Sequence, residues 1–351
     1  MNKLSKSVIL LFSLVLLTAV LLPSCREDTG ARTGGASIVV FIPGVMAGSA
    51  IYEMLAEGVI SGAEDFAASN PGAAPTVTVI EGGFNQAEWE TQVTTLAASG
   101  DFDLIVSSNP SLPVIVAAVS ARFPNQQFLL LDGELAGNPN VYSLRYNQRE
   151  QSYMAGYLAG LAALEALTDG VKRVGLVAGQ EYPVMNTIIL PGFTEGAQAV
   201  DPEFTVDFRV VGNWYDAARA AELAAGMIRG GIRVILPIAG GAGHGVVQAS
   251  VEGDARVIWF DTSGYAIRPG TVIGSAILRQ DRAAQEKTLL YLEGRLPFGT
   301  AEIAGTADGF VDFVDDDPLY IQGVSPAIRE RMAVLTGRLR SGELRLPELG
   351  R

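Results

Sequence analysis

The chain predicts two doubly wound α/β lobes, each a parallel sheet covered by helices on both faces, with a ligand cleft between them. Three observations lead there. Short β-branched runs alternate with longer Ala-rich stretches from residue 37 to residue 293. The short runs are continuously apolar rather than alternating, which marks strands buried on both faces. About ten such runs exceed a comfortable single sheet, so they divide between two.

The N-terminal 24 residues are of another kind. Lys3 and Lys6 precede an apolar run from Val8 to Leu22, and Leu22-Pro23-Ser24 follows, the layout of a secretory signal. Cys25, the single cysteine, stands directly after it. That placement resembles a bacterial lipobox, in which Cys25 is lipid-modified (palmitate or a similar acyl chain) and becomes the first mature residue. The plainer alternative is an ordinary signal peptide with a chance cysteine. A membrane-spanning anchor is disfavoured, because the run falls short of the ~20 residues needed to cross a bilayer. Residues 26–36 are polar and Gly-rich and read as a flexible tether.

Strands are expected at 37–42, 76–81, 103–107, 127–131, 141–145, 173–177, 205–211, 233–238, 256–261 and 272–277. Helices are expected at 49–69, 86–99, 113–122, 148–167, 186–200, 217–229, 246–252 and 281–293. Asn147 and Glu150 form a capping-box pattern at the fourth helix, Asp216 is an N-cap for the sixth, and Ser325-Pro326 opens a final helix. Dense turn signals at Asp132-Gly133 and Asn138-Pro139-Asn140 place the lobe boundary between Leu131 and Val141. The expected division is an N-terminal lobe of 37–135 plus about 262–300, and a C-terminal lobe of 136–261 plus about 301–351.

Composition narrows the function. Apolar residues make up 48% of the chain, ample for large cores. Without Lys3 and Lys6, 23 basic residues face 38 acidic ones, a charge near −15. That excess argues against nucleic acid, which needs clustered cations, and against electrostatic adhesion to anionic lipid, so acyl chains would have to hold the membrane. With Cys25 modified, His244 is the one remaining imidazole and no thiol is left. A Ser-His-Asp triad then has a single candidate base, and zinc sites needing two His or Cys are excluded. The expectation is a binding protein: no enzyme, no catalytic residue, no metal and no cofactor.

Several segments resemble the basic membrane protein family of bacterial solute-binding lipoproteins. They are FDLIVSS at Phe102–Ser108, ARFPNQQFLLLDG at Ala121–Gly133 and NVYSLRYNQREQSYMAGYLAG at Asn140–Gly160. RVGLVAGQEYPVMN at Arg173–Asn186, GFTEGAQAV at Gly192–Val200 and VGNWYDAARAAELA at Val211–Ala224 follow. AGGAGHGV at Ala239–Val246, VIWFDTSG at Val257–Gly264 and SGELRLP at Ser341–Pro347 complete the order. The resemblance implies a type I periplasmic-binding-protein fold, a small-molecule ligand and an ABC-type importer permease as partner. It also implies a monomer held at the cell membrane by lipid alone, facing the periplasm or exterior.

The family pattern also implies roles for single residues. Trp214 falls where relatives carry a Phe that stacks on a purine; its loop follows a strand end, although covering the sheet edge would also suit it. Asp261 matches an aspartate that accepts bonds from sugar hydroxyls, with an Asx turn onto Thr262-Ser263-Gly264 as the alternative. Gly240, Gly241, Gly243 and Gly245 allow close backbone approach, and without a following Gly-Lys-Ser/Thr they make no P-loop. His244 stands where relatives commonly have Asn and is either a ligand donor or an idle loop residue. Ser107, Ser108 and Asn109 end the third strand at the cleft edge, as ligand contacts or as caps after Pro110.

The first βα turn departs from the pattern. Aligning Ser49 with the family serine puts Ala50 at a stacking Phe and Ile51 at an Asn, while Leu278, with Arg279 beside it, replaces a lysine. Tyr52 would supply a replacement ring, and Phe84 is another candidate. These losses argue for a broader ring system than a purine nucleoside. The resulting expectation is riboflavin, as bound by some spirochaete relatives, with its isoalloxazine on Trp214 and its ribityl hydroxyls on Asp261. A purine nucleoside is the alternative ligand, and a sensor or a carboxylate-based cleft enzyme using Asp261 the alternative class.

Overall fold

The computed structural model describes residues 35–166, 170 and 172–347. The expected signal segment, Cys25 and most of the tether lie outside the described residues. Strands form where the apolar runs are: β1 Ser37–Ile42, β2 Thr76–Glu81, β3 Leu104–Ser108, β4 Gln127–Leu131, β5 Val141–Tyr146 and β6 Arg173–Ala178. They continue with β7 Thr205–Val210, β8 Val234–Ile238, β9 Arg256–Asp261, β10 Val272–Leu278, β11 Ala301–Ala304 and β12 Val311–Phe313. The helices are α1 Ala50–Ser69, α2 Gln86–Ser99, α3 Leu112–Arg122, α4 Gln148–Glu165 and α5 Leu190–Gln198. After them come α6 Ala217–Arg229, α7 Gly243–Glu252, α8 Gln280–Leu292, α9 Pro318–Gly323 and α10 Pro326–Arg340. Where one long fifth helix was expected, a π-turn at Met185–Ile189 precedes α5.

Among the described residues the strands form two six-stranded sheets, ordered β11-β5-β4-β3-β1-β2 and β12-β10-β9-β8-β6-β7. Every pairing is parallel except β10 with β12. Successive side chains on a strand point to opposite faces, and in the first sheet both faces are covered. Val39, Phe41, Ile105, Phe128 and Leu130 pack with Trp89 and Val93 of α2 and Val116 and Val119 of α3. Ile38, Val40, Leu104, Val106 and Leu129 join the core that holds Leu55 and Val59 of α1 and Ala283 and Ala284 of α8. Each buried Val, Leu or Ile contributes about 1.5–3 kcal/mol relative to exposure. That burial is why these strands read as unbroken apolar runs.

The lobe division differs from the expected one. β5 pairs in parallel with β4, Phe128 opposite Val141, so the turn-rich stretch 132–140 is a tight return inside one sheet and not a linker. Leu135 N donates to Ser143 Oγ at 2.9 Å and holds that return against β5. β10 pairs with β9 in the second sheet, and β11 pairs with β5 in the first. The first lobe therefore comprises 37–146 and 280–304, the second 147–278 and 311–347. The chain crosses between them three times: after β5, after β10 and between β11 and β12. These crossings are laced together, with Asn147 N donating to Ala304 O at 2.8 Å and Arg279 N to Phe310 O at 2.9 Å.

The caps follow the sequence with one exception. Asp216 accepts from Arg219 N at 2.8 Å, Ser325 from Ile328 N at 3.4 Å and Asn147 from Glu150 N at 3.2 Å. Glu150 does not reach back to Asn147, whose amide is already given to Ala304. Its Oε2 instead accepts from Thr306 N at 2.7 Å and braces the β11–β12 crossing.

Candidate functional site

The parallel strands of both sheets bring their carboxyl ends to the boundary between the lobes, where open α/β sheets take ligands. From the second lobe, Trp214 lies across two of those ends. A Cβ on Gly179, just past β6, would stand 2.5 Å from Trp214 Cε3, so the indole seats where a side chain is missing. Gly240, just past β8, approaches the Trp214 carbonyl in the same way. The loop is braced throughout. Gly212 N donates to Gly179 O at 2.9 Å and Ala242 N to Trp214 O at 3.0 Å, and Asn213 Oδ1 accepts from Tyr215 N and Asp216 N. Trp214 Nε1 donates to Gln180 Oε1 at 3.2 Å, and the Tyr182 ring stands 6.2 Å away, tilted by 48°.

Asp261 closes β9 in the left-handed region, with φ of 69°. Its Oδ1 accepts from Gln151 Nε2 at 3.1 Å. Gly264 N donates to Ser275 Oγ, so the carboxylate is held by the Gln151 amide and no Asx turn onto Gly264 forms. Burial pushes its pKa up to about 6, against the partial relief of the Gln151 bond. A carboxylate so short of donors is an acceptor waiting for hydroxyl or N–H groups.

From the first lobe, Tyr52 stands at the start of α1 with its ring against Gly44. Its hydroxyl donates to Pro43 O at 3.0 Å and accepts from Asn109 Nδ2 at 3.1 Å. Burial pushes it up to about 12. Asn109 thus positions Tyr52, and its Oδ1 caps Ser111 N at 2.8 Å. Ser49 opens α1 without a side-chain cap bond.

Ser108 differs from its expected place at the cleft surface: it is buried, and its Oγ donates to Gln280 Oε1 at 2.8 Å. Ser107 Oγ is likewise given to Phe41 O at 2.5 Å. Gly241 is exposed in a 3-10 turn, Gly240–Ala242, and α7 begins three residues earlier than expected, inside the glycine run. Gly245 serves packing, since a Cβ there would meet Ala217 O at 1.9 Å. His244 is exposed on the first turn of α7, its ring 5.6 Å from that of Trp259.

Three residues that sequence reasoning passed over join this group. Asp132 follows β4 in the left-handed region, with φ of 52°, and its charge raises Tyr52 and Tyr182. Tyr182 follows β6; burial raises it first, then the charges of Asp261 from its own lobe and Asp132 from the other. Gln151, fully buried on α4, holds Asp261. Asp132 read as a turn signal, and only its position directly after a strand end could have marked it. Two shallow hollows on helix faces, beneath α9 and α10 and between α6 and α7, share no residue with the group.

Comparison with known proteins gives a consistent result. The model of the Bmp family, described as ABC transporter substrate-binding protein PnrA-like, matches residues 36–344. A CD4+ T-cell-stimulating antigen of Listeria monocytogenes is 25% identical over 280 residues, covering 75% of each chain. An ABC transporter nucleoside-binding protein of Lactococcus lactis is 28% identical over 163 residues, covering 45% of this chain and 44% of that one. Among solved structures, a solute-binding protein of an ABC transporter system from Aeropyrum pernix superposes with a TM-score of 0.74 at 21% identity, over 89% of this chain and 93% of that one.

Proposed function

The chain belongs to the Bmp family of ABC transporter substrate-binding proteins, and on that premise we propose that it captures a purine nucleoside between its lobes for an ABC importer permease. The family is one of binding proteins rather than catalysts. The observation that carries the ligand reading is the pairing of a flat indole, seated on Gly179, with two carboxylates, Asp261 and Asp132, at facing strand ends. The indole offers a stacking face, and the carboxylates accept from ribose hydroxyls and base N–H groups.

This reading reverses the expectation of riboflavin. The broader ring was to be gripped between Trp214 and Tyr52, but Tyr52 is drawn back against Gly44 with its hydroxyl committed to Pro43 and Asn109. The matching relative from Lactococcus lactis carries a nucleoside-binding name. Ser49, Gly241 and His244 remain candidate ligand contacts, and Asn109 acts through Tyr52. The test is mass spectrometry of small molecules released from the purified protein, with calorimetry against guanosine, adenosine and riboflavin. A released nucleoside and nucleoside heats are expected; a yellow preparation that releases riboflavin overturns the assignment.

The same reading includes a lipid-modified Cys25 that tethers a monomer to the outer face of the cell membrane. Among the described residues no helix is long and apolar enough to cross a membrane. Cys25→Ala should release the protein from membrane pellets into the soluble fraction, whereas retention in the pellet would sink the anchor.

A further inference from the structure

The loop that carries Trp214 also carries Tyr215, and the two rings are used differently. Trp214 lies on glycines of its own lobe, whereas the Tyr215 ring meets Phe84 of the other lobe edge to face, centroids 5.3 Å apart at 81°. Phe84 is 62% exposed and Tyr215 65% exposed, so neither ring is buried in the core of its own lobe. Both ride on braced backbone. Asn213 Oδ1 holds Tyr215 N, while Gly83 N donates to Gly44 O at 2.9 Å and Trp89 Nε1 to Gly83 O at 3.1 Å. The Tyr215 hydroxyl also lies within electrostatic reach of Tyr52, which places it beside the first-lobe wall.

We propose that Phe84 and Tyr215 form an aromatic latch across the cleft mouth that holds the lobes closed and sets how long a ligand is retained. Parting the lobes separates the rings and returns both to water. A contact made in one state and absent in the other shifts the balance between them. An edge-to-face pair shifts such an equilibrium roughly 2- to 12-fold. Because Trp214 and Tyr215 are adjacent on one rigid loop, a ligand that settles the indole also settles the latch. The proposal rests on the reading that the cleft holds a ligand, but the latch itself can be read without one.

The experiment uses the full chain with Phe84→Ala, Tyr215→Ala, the double variant and Tyr215→Phe. Small-angle scattering of ligand-free protein reads the closed fraction, and stopped-flow dissociation of guanosine reads retention. Both alanine variants should be more open and release guanosine roughly 2- to 12-fold faster, with association rates little changed. The double variant should match either single one, since each removes the same contact, and Tyr215→Phe should behave as wild type because the contact uses the ring. Unchanged scattering, additive effects in the double variant, or a defect in Tyr215→Phe equal to that in Tyr215→Ala would overturn the latch. Should guanosine fail to bind the wild type, the ligand reading fails while scattering still decides the latch.

Discussion

Gln151 Nε2 donates to Asp261 Oδ1 at 3.1 Å and, from the same nitrogen, to Ala276 O at 3.1 Å. One buried amide therefore ties the first turn of α4, just past a lobe crossing, to the ends of β9 and β10. Two acceptors on one side fix which way the amide points, and Gln151 Oε1 is left buried without a partner. Asp261 therefore has one fixed donor, the Gln151 amide, at the end of β9.

The pH dependence of stability follows from Asp261. Its native pKa is raised from 3.8 to about 6, so the folded state binds this proton more tightly than the unfolded state does. The native state gains below that window and loses the gain as pH climbs from about 4 to about 6. Asp281 and Glu302, held low by Arg279 and by Tyr142 and Lys287 despite burial, contribute slopes of the opposite sign, so only a difference isolates Asp261. Asp261→Asn should match wild type in thermal stability near pH 4 and exceed it at pH 7. A constant offset across that range would show that burial of the charge is not what raises the group.

Ligand affinity should run the other way, since ionised Asp261 accepts hydroxyl donors better than its acid form. Gln151→Leu removes the one donor that lowers the Asp261 pKa. A hydrogen bond to a charged group is worth about 1.5–3 kcal/mol, so the midpoint of the affinity-pH profile should rise by about one to two pH units. Calorimetry with guanosine from pH 5 to pH 8 measures it. A purely structural Gln151 would lower stability and leave the midpoint where it was.

Trp214→Ala should cost about 1–3 kcal/mol of binding, the usual worth of one stacked base. Gly179→Ala is the sharper probe, because it keeps the indole and removes its seat: the new Cβ would stand 2.5 Å from Cε3. Comparable losses in both variants, with unchanged circular dichroism, place the ligand on the indole face. Full affinity in Gly179→Ala would mean that the seat does not matter.

Much of this architecture was legible in the sequence, and what was hidden has a physical reason. The bounds of β1 and β4 follow directly from their apolar runs, because both faces of these strands are buried, whereas the edge strand β2 is marked by its β-branched Thr-Val-Thr-Val-Ile run although Thr76, Thr78 and Glu81 are exposed. Which sheet β5 and β10 join is not visible in the sequence, because both strands are buried on both faces and such a strand fits either sheet. Trp214 and Asp261 stood out through the family pattern, with Trp214 on a loop after a strand and Asp261 at the end of one as local support. Gln151 sits in a helix beside Ser152 and Met154, and nothing in its neighbours marks an amide pointed at a carboxylate 110 positions along the chain.

Ser108 gives the clearest separation of support from contact. Its hydroxyl, with Tyr146 OH at 3.4 Å, donates to Gln280 Oε1, while Gln280 Nε2 donates to Ile51 O at 2.7 Å. Gln280 is fully buried at the start of α8, where the chain re-enters the first lobe. Gln280→Ala would strand the Ser108 and Tyr146 hydroxyls together, while the Ile51 carbonyl keeps its place in the α1 ladder, and each buried orphan costs about 1–3 kcal/mol. A loss of about 2–5 kcal/mol is expected in denaturant unfolding. Ser108→Ala removes one donor and leaves Gln280 Oε1 the Tyr146 hydroxyl, so it should cost ~1 kcal/mol or less and leave guanosine affinity unchanged. If Ser108→Ala instead lost affinity with stability intact, the hydroxyl would have to turn from Gln280 to the ligand on binding, and its role would be contact rather than support.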